Sequence, residues 1–399
     1  MLHEIPSSSL KLILSFQENY QKNYVKLTYV DKEMNRKVSE IDHDVVFKII
    51  DIPTKVLSKN FKNISLNGNR KFKDDDFKYL KEVNTLNMDG CNQITITDNA
   101  FKNLGKLTTL SMVRCNQNTI TDNAFKCLNN VTNLNMKACH QDTITDNAFE
   151  GLGKLTILNV SFCSHKAITD KTFKNLKNLD TLNVSNCTNF TDEAFKSFGK
   201  VRVLIMGNCF QETITDNAFK NLEKVRFLNM RNCLQKTITN KAFTYLKNLD
   251  QLNIDFCNQK GITDDAFSNF KSLSVLCMRD CNQKTITDKA FENLGNLHTL
   301  EMSSCDQTTI TDKAFENLGK VRILDIDGCD QTTITDKAFL HLSSLCKLNM
   351  NYCNQETITS KAFEQLTKLD TLYIDECYQK SIIEDFPQYS KCIRNVYRY

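Results

Sequence analysis

The sequence predicts an α/β solenoid: a right-handed horseshoe with a parallel concave sheet and short convex helices, preceded by a small helical N-terminal domain. Three observations point there. Cysteine recurs at a fixed interval, phenylalanine recurs at the same interval, and the three prolines, Pro6, Pro53 and Pro387, lie outside the periodic region. A fixed period of this kind marks a stacked architecture in which each coil contacts only its neighbours. At 399 residues the chain also exceeds what one ordinary globular core supports.

The cysteines come first. Of 17, a ladder is formed by Cys91, Cys115, Cys139, Cys163, Cys187, Cys209, Cys233, Cys257, Cys281, Cys305, Cys329, Cys353 and Cys377, stepping by 24 residues except for one step of 22 between Cys187 and Cys209. A disulfide framework pairs cysteines across irregular loops, and an odd ladder cannot pair fully. One thiol per coil instead suits a small, weakly polar group buried at the same corner each time. Stacked strands lie about 4.8 Å apart, which brings neighbouring thiols towards bridging distance. The expected setting is therefore reducing, cytoplasmic or nuclear.

The repeat reads directly from Leu107 to Cys115, LTTLSMVRC, followed by NQNTITDNAFKCLNN. Alternation points Leu110 and Met112 inward and Ser111 and Val113 outward, so each coil contributes a short strand. Strand segments run from Ile64-Ser65-Leu66, where Asn69 replaces the cysteine, to Leu372-Tyr373-Ile374. The return limb reads as a short helix, with Asp98, Asp122 or Asp146 as N-cap or first-turn charge. Ala100, Phe101 and Leu104 share one helix face, and phenylalanines from Phe77 to Phe363 form an aromatic spine. The unit resembles the leucine-rich repeat. That resemblance assigns residues 61–377 to a leucine-rich-repeat solenoid of about 14 coils, with a linker at 45–60 and a C-terminal cap at 378–399. The two-residue deletion near Thr188-Asn189-Phe190 is expected to bend it locally.

Repeats compared within the chain separate scaffold from surface. The inward residues and the TITDxAF limb barely change, while the outward strand positions vary freely. Those positions line the concave face, the expected recognition surface for a protein. The candidate partner-binding residues are Asn135, Lys137, Arg231, Asn253, Asp255, Arg279, Glu301, Asp325, Asp327, Tyr373 and Asp375. The middle is mixed to basic and the last third acidic, which points either to a basic partner segment docking near Asp325 and Asp327 or to a solvated charged face with no dedicated partner there. Gln93, Gln117, Gln141, Gln211 and Gln235, two residues after the cysteine, are expected to form a side-chain ladder. A net charge of only +4, without a basic block, argues against nucleic acid. The stretch Met1 to Phe16 is too short to span a bilayer and lacks a charged leader.

Residues 4–16, EIPSSSLKLILSF, resemble the opening of an F-box, with Ile5-Pro6 for the Leu-Pro-like pair and Leu10, Ile13, Leu14 and Phe16 on one helical face. The stretch YVKLTYVDKEMNRKVSE resembles the family's later helices, with Leu27, Val30 and Met34 as apolar anchors. The resemblance makes residues 1–44 a helical head. It implies docking onto a Skp1-like adaptor and cullin complex through Ile5, Pro6, Leu10, Ile13, Leu14, Leu27 and Val30. The alternative is a plain helical cap over the first coil, in an interaction scaffold with no ubiquitin link or in a surface adhesion repeat protein. A cysteine after LxxLxL, followed by an ITD step, resembles the cysteine-containing repeats common in F-box proteins. The AF pair is similar to surface repeats of bacteria and protists, and the Lys- and Asn-rich composition to proteins of giant DNA viruses.

No phosphate-binding glycine loop, nucleophile elbow or paired catalytic carboxylate stands out, so no catalytic residue, metal ligand or cofactor is assigned and a non-enzyme is expected. His140 and His165 fall near one corner of adjacent coils, a poor metal set. Cys277 lies on the outward strand face beside Arg279, where it is either a reactive thiol or an incidental small residue.

Overall fold

The computed structural model describes residues 47–48, 62–66, 71–163, 167–353, 355–377 and 395–397. The F-box-like head with its seven adaptor-binding residues, Asn69, His165 and most of the C-terminal tail lie outside the described residues. The chain divides into two compact units, 1–189 and 190–399, and the boundary falls in the loop shortened by two residues.

In the first unit the strands Phe47–Lys48, Asn63–Ser65, Thr85–Asn87, Thr109–Ser111, Asn133–Asn135, Ile157–Asn159 and Thr181–Asn183 pair in chain order. Pairing is parallel, with Leu110 opposite Leu86 and Leu134 opposite Leu110. In the second unit the series runs from Val203–Ile205 through Phe227–Asn229, Gln251–Asn253, Val275–Cys277, Thr299–Glu301, Ile323–Asp325, Lys347–Asn349 and Thr371–Tyr373 to Asn395–Tyr397. The register again matches equivalent coil positions, as in Leu276 opposite Leu252. The 24-residue period causes this, because a one-residue slip would turn every inward leucine outward. Pairing extends further than the repeat. Phe47–Lys48, inside the stretch read as a linker, pairs with Ile64–Ser65, and Asn395–Tyr397 in the tail pairs with Thr371–Tyr373.

From Thr85–Asn87 to Thr371–Tyr373 each strand holds a buried leucine between two at least partly exposed residues, and the next inward residue, such as Met112 or Met230, is fully buried. The return limb is tighter than the sequence suggests. It is mostly a four- to six-residue 3-10 turn, as at Asp216–Asn221, with an α-helical turn at Asp122–Phe125, Asp192–Phe195 and Asn240–Phe243. So little chain cannot hold a helix without tertiary packing. Ala218, Phe219 and Leu222 supply it by packing into the core at 0% exposure. The spine is real, with Phe125 and Phe149 rings stacked 6.4 Å apart.

Polar ladders join the coils, and they decide one reading and correct another. Thr97, Thr121 and Thr145 are the N-caps, each accepting from the backbone N–H two residues on, and Asp98, Asp122 and Asp146 supply the first-turn charge, the other of the two roles read for them. The aspartate that follows reaches the next coil. In the second unit Asp216 accepts from the Thr239 backbone N–H and hydroxyl, both at 2.8 Å. The expected glutamine ladder is also replaced. The residue directly after the cysteine makes it, with Asn116 N–H donating to Asn92 Oδ1 and His140 N–H to Asn116 Oδ1. Gln117, Gln141 and Gln283 are buried, and their carboxamides find no hydrogen-bond partner in the described chain. Gln259 differs, donating from Nε2 to the Cys233 carbonyl at 2.8 Å.

The ladder cysteines are free and buried, as their spacing predicts. Within each unit the thiols donate to the carbonyl of an inward residue one coil back, for example Cys115 to Met88 at 3.0 Å and Cys281 to Ile254 at 3.0 Å. The residue before the cysteine turns the corner with positive φ. Gly90 and Gly328 adopt this easily, but Ala138 (56°) and Phe256 (60°) adopt it against the preference of an L side chain. Bonds such as Ala138 N–H to the Ser161 carbonyl hold it there.

Candidate protein-binding face

The outward strand face is built by two residues of each coil, one at the end of the strand and one two positions later. In the first unit Asn135 accepts the Lys137 N–H, and Lys137, exposed, sets its ammonium 5.3 Å from the Phe162 ring centroid. The bond from an asparagine to the backbone N–H two residues on recurs at Asn159, Asn183, Asn229, Asn253 and Asn349. Asparagine is frequent here because it satisfies the chain where the strand ends. Asn135 and Asn253 are therefore partly committed to the scaffold.

In the second unit a charge network crosses neighbouring coils. Asp255 is its hub, and it is fully buried, which corrects its assignment as a partner contact. Its carboxylate lies 3.8 Å from Arg231 and 3.9 Å from Arg279, and it accepts the Arg279 backbone N–H at 2.9 Å. Arg279 also pairs with Glu301 at 2.7 Å, and Arg231 stacks over the Phe256 ring at 4.6 Å. The two guanidiniums remain partly exposed while Asp255 positions them from beneath. Cys277 donates to Glu301 Oε2 at 3.0 Å. Burial, then the Glu301 carboxylate, pushes this thiol well above the ordinary thiol range. The reactive-thiol reading of Cys277 therefore fails, because a reactive cysteine needs the opposite shift.

Beyond Glu301 the balance changes. Asp325 and Asp327 are half-buried, Asp325 accepts the Asp327 N–H, and neither has an ion-pair partner among the described residues. Burial, and then the Asp325 charge, raises the Asp327 carboxyl above its usual range. Tyr373 lies under the Lys347 ammonium at 5.1 Å, and Asp375 N–H donates to Asn351 Oδ1. The sequence reading missed the positive-φ corner that aims this face. Its signal was present: Gly90, Asn186, Asn208, Asn232, Asp280 and Gly328 precede ladder cysteines, and these residue types tolerate that conformation best. Among the described residues no set of three His, Cys, Asp or Glu side chains could hold a metal ion, and no helix is long and apolar enough to cross a membrane.

Parallel strands stacked coil on coil, each returned by a single helical turn, define a leucine-rich-repeat solenoid. The family model for the BspA type leucine rich repeat region matches in six copies over residues 51–179, 142–274, 212–326 and 260–390, and the chain belongs to this family. Among solved structures, a leucine-rich-repeat protein of Leptospira interrogans is similar with a TM-score of 0.69 and 15% identity, over 90% of this chain and 92% of that one. An internalin of Listeria monocytogenes matches with a TM-score of 0.55 and 17% identity, over 89% and 94%. The protein of the TLR13–ssRNA13 complex matches with a TM-score of 0.61 and 17% identity over 91% of this chain, which spans only 59% of that protein's length. No curated protein matches by sequence.

Proposed function

We propose that the chain is a non-catalytic scaffold whose outward strand face binds a protein, with its last coils taking a basic segment of the partner. The observation that carries this is the Asp325–Asp327 pair. Two adjacent carboxylates, Asp327 held above its usual range by burial and then by Asp325, make no ion pair among the described residues, and the Asn349 amide at 3.4 Å and the Arg279 charge offset the repulsion only in part. An incoming lysine or arginine would relieve that repulsion. Reversing both charges with D325K and D327K is expected to weaken binding of a lysine-rich probe peptide at least tenfold and to flatten its salt dependence. Unchanged affinity and unchanged salt dependence would refute the docking.

A finer reading makes the chain a substrate-recognition subunit of a cullin-based ubiquitin ligase, in the cytoplasm or nucleus, or in those of a host cell if the protein is viral. Its support is the similarity of EIPSSSLKLILSF to an F-box. A scaffold without any ubiquitin connection is the alternative. Affinity capture with the full chain, and with a chain lacking residues 1–44, separates them. Recovery of a Skp1-like adaptor and cullin by the full chain alone supports the ligase role, and recovery by neither removes it.

A further inference from the structure

In the second unit the loops that follow the ladder cysteines differ from coil to coil. Directly after the cysteine, Asn258, Asn282 and Asp306 form the side-chain ladder. Asn282 N–H donates to Asn258 Oδ1 at 2.7 Å, and Asp306 N–H to Asn282 Oδ1 at 2.6 Å. The two preceding coils carry Phe210 and Leu234 at this position. Neither side chain can accept such a bond, and the two are 49% and 46% exposed. These coils give up a polar contact and present apolar surface to water instead.

Three residues after the cysteine the chain turns basic. Lys236, Lys260 and Lys284 hold this position on three consecutive coils, and each is exposed. Paired strands lie about 4.8 Å apart, so three ammonium groups share one short column. None of the three has an ion-pair partner among the described residues. Glu212 precedes the column, and Thr308, Thr332 and Glu356 follow it, so the positive charge is confined to these coils. In the first unit the described residues at this position are Ile94, Asn118 and Asp142. Stacked like charges repel, so the column gives the free chain no stability.

The apolar and basic features meet in a cleft of about 520 Å³ lined by Leu234, Lys236, Asn258, Gln259, Lys260 and Gly261. Gly261 stands where the neighbouring coils have Thr237 and Thr285. Those hydroxyls donate to the Ile214 and Ile262 carbonyls one coil back, at 2.7 and 2.8 Å, a bond that glycine cannot make. Within a limb that otherwise barely changes, the side chain is therefore missing where the cleft lies.

We infer that this cleft binds an acidic, extended segment of a partner protein, with one apolar side chain seated against Leu234 and carboxylates paired with Lys236, Lys260 and Lys284. Alternate side chains of an extended segment recur about every 6.6 Å, a spacing that flexible lysine stems can follow. The partner's carboxylates relieve the repulsion within the column, and its apolar side chain covers surface that Leu234 leaves in water. A nucleic acid strand fits less well, because the basic run spans three coils and ends at Glu212. This surface is opposite in sign to the Asp325–Asp327 site, occupies another position on the coil and does not depend on it.

The test uses the full chain and three labelled peptides of equal length. One alternates glutamates around a central leucine, one has serine in place of that leucine, and one is lysine-rich. Fluorescence anisotropy at two salt concentrations compares wild type with K236E/K260E/K284E, Leu234→Asn and D325K/D327K, and far-UV circular dichroism confirms that the variants fold. Leu234→Asn installs the ladder residue of other coils, so it removes the apolar anchor while keeping the local bonding. Wild type is expected to bind the leucine-bearing acidic peptide about fivefold tighter than the serine version. Reversing the lysines is expected to weaken that peptide about tenfold and to flatten its salt dependence. Leu234→Asn is expected to abolish the preference for leucine, and D325K/D327K to retain acidic-peptide binding. The inference falls if the lysine reversal changes neither affinity nor salt dependence, if Leu234→Asn leaves the leucine preference intact, or if no acidic peptide binds. In each case the docking at Asp325 and Asp327 keeps its own readout, the lysine-rich peptide, which the lysine reversal is expected to leave unaffected. Displacement of the acidic peptide by an equimolar single-stranded RNA would also overturn the inference.

Discussion

Replacing Asp216 by alanine tests whether polar ladders hold neighbouring coils together. The Asp216 carboxylate accepts two bonds from the next coil, from the Thr239 backbone N–H and hydroxyl at 2.8 Å each. The same hydroxyl accepts the Lys241 N–H as the N-cap of the following turn. Hydrogen bonds to a charged acceptor contribute about 1.5–3 kcal/mol, and an orphaned, partly buried N–H adds to the loss. First-turn charge adds about 0.3–1 kcal/mol. Because water can reach this half-buried site, the expected cost of Asp216→Ala is about 2–4 kcal/mol. The chain carries its own control. At the equivalent position Asn240 accepts the Thr263 N–H at 2.8 Å and donates its amide to the Thr263 hydroxyl at 2.7 Å, so the bonding survives with one direction reversed. Asp216→Asn should therefore cost less than about 1 kcal/mol. Urea unfolding followed by far-UV circular dichroism measures both, with hydrogen exchange at Thr239 reporting local opening. Equal costs for the two substitutions, or a cost near zero for alanine, would refute the reasoning.

Three further expectations follow from the core and the corners. Phe219→Ala removes a fully buried ring from the spine and should cost about 3–5 kcal/mol in the same denaturation assay. Ala138→Gly removes a positive-φ penalty and should stabilise by about 0.5–1 kcal/mol, provided the Ser161 carbonyl bond persists; a destabilised variant counts against it. Burial raises the ladder thiols, Cys163 to about 11 and Cys139 to about 12, from an ordinary value of 9.0. The unfolded chain then loses thiol protons that the folded chain keeps, so stability holds below about pH 9 and declines as pH rises towards 11–12. Alkaline denaturation of wild type and of Cys139→Ala measures this, and alkylation at neutral pH should label exposed Cys127 well before Cys139.

Much of this molecule is legible in one dimension because each coil repeats the same physical problem. Leu110, Met112, Cys115 and Phe125 recur at one period, and every occurrence faces the same neighbours one coil away. A local pattern thus reports a tertiary environment. Single-position reasoning worked less well where two residues compete for one role. Thr121 and Asp122 are both good capping residues, and only the stack decides that the threonine caps its own turn while the aspartate reaches the next coil. Likewise Asn116 and Gln117 could each have formed a ladder. The shorter side chain meets the backbone N–H one coil on, and the longer one is buried.

The candidate face divides along the same line. Its position, outward between the buried leucine and the cysteine corner, follows from alternation along a strand whose period is two. The outward charges are also readable residue by residue. Which charges remain available is not, because ion pairing crosses coils 24 residues apart. Asp255 looks like a surface acid in sequence, yet Arg231 and Arg279 close over it, whereas Asp325 and Asp327 have no such cover among the described residues. The sequence by itself determined the coil, its period and its inward residues, since burial of apolar surface acts on every repeat alike. Only the tertiary structure decided which polar groups satisfy one another, because hydrogen bonds and ion pairs depend on distances set by stacking.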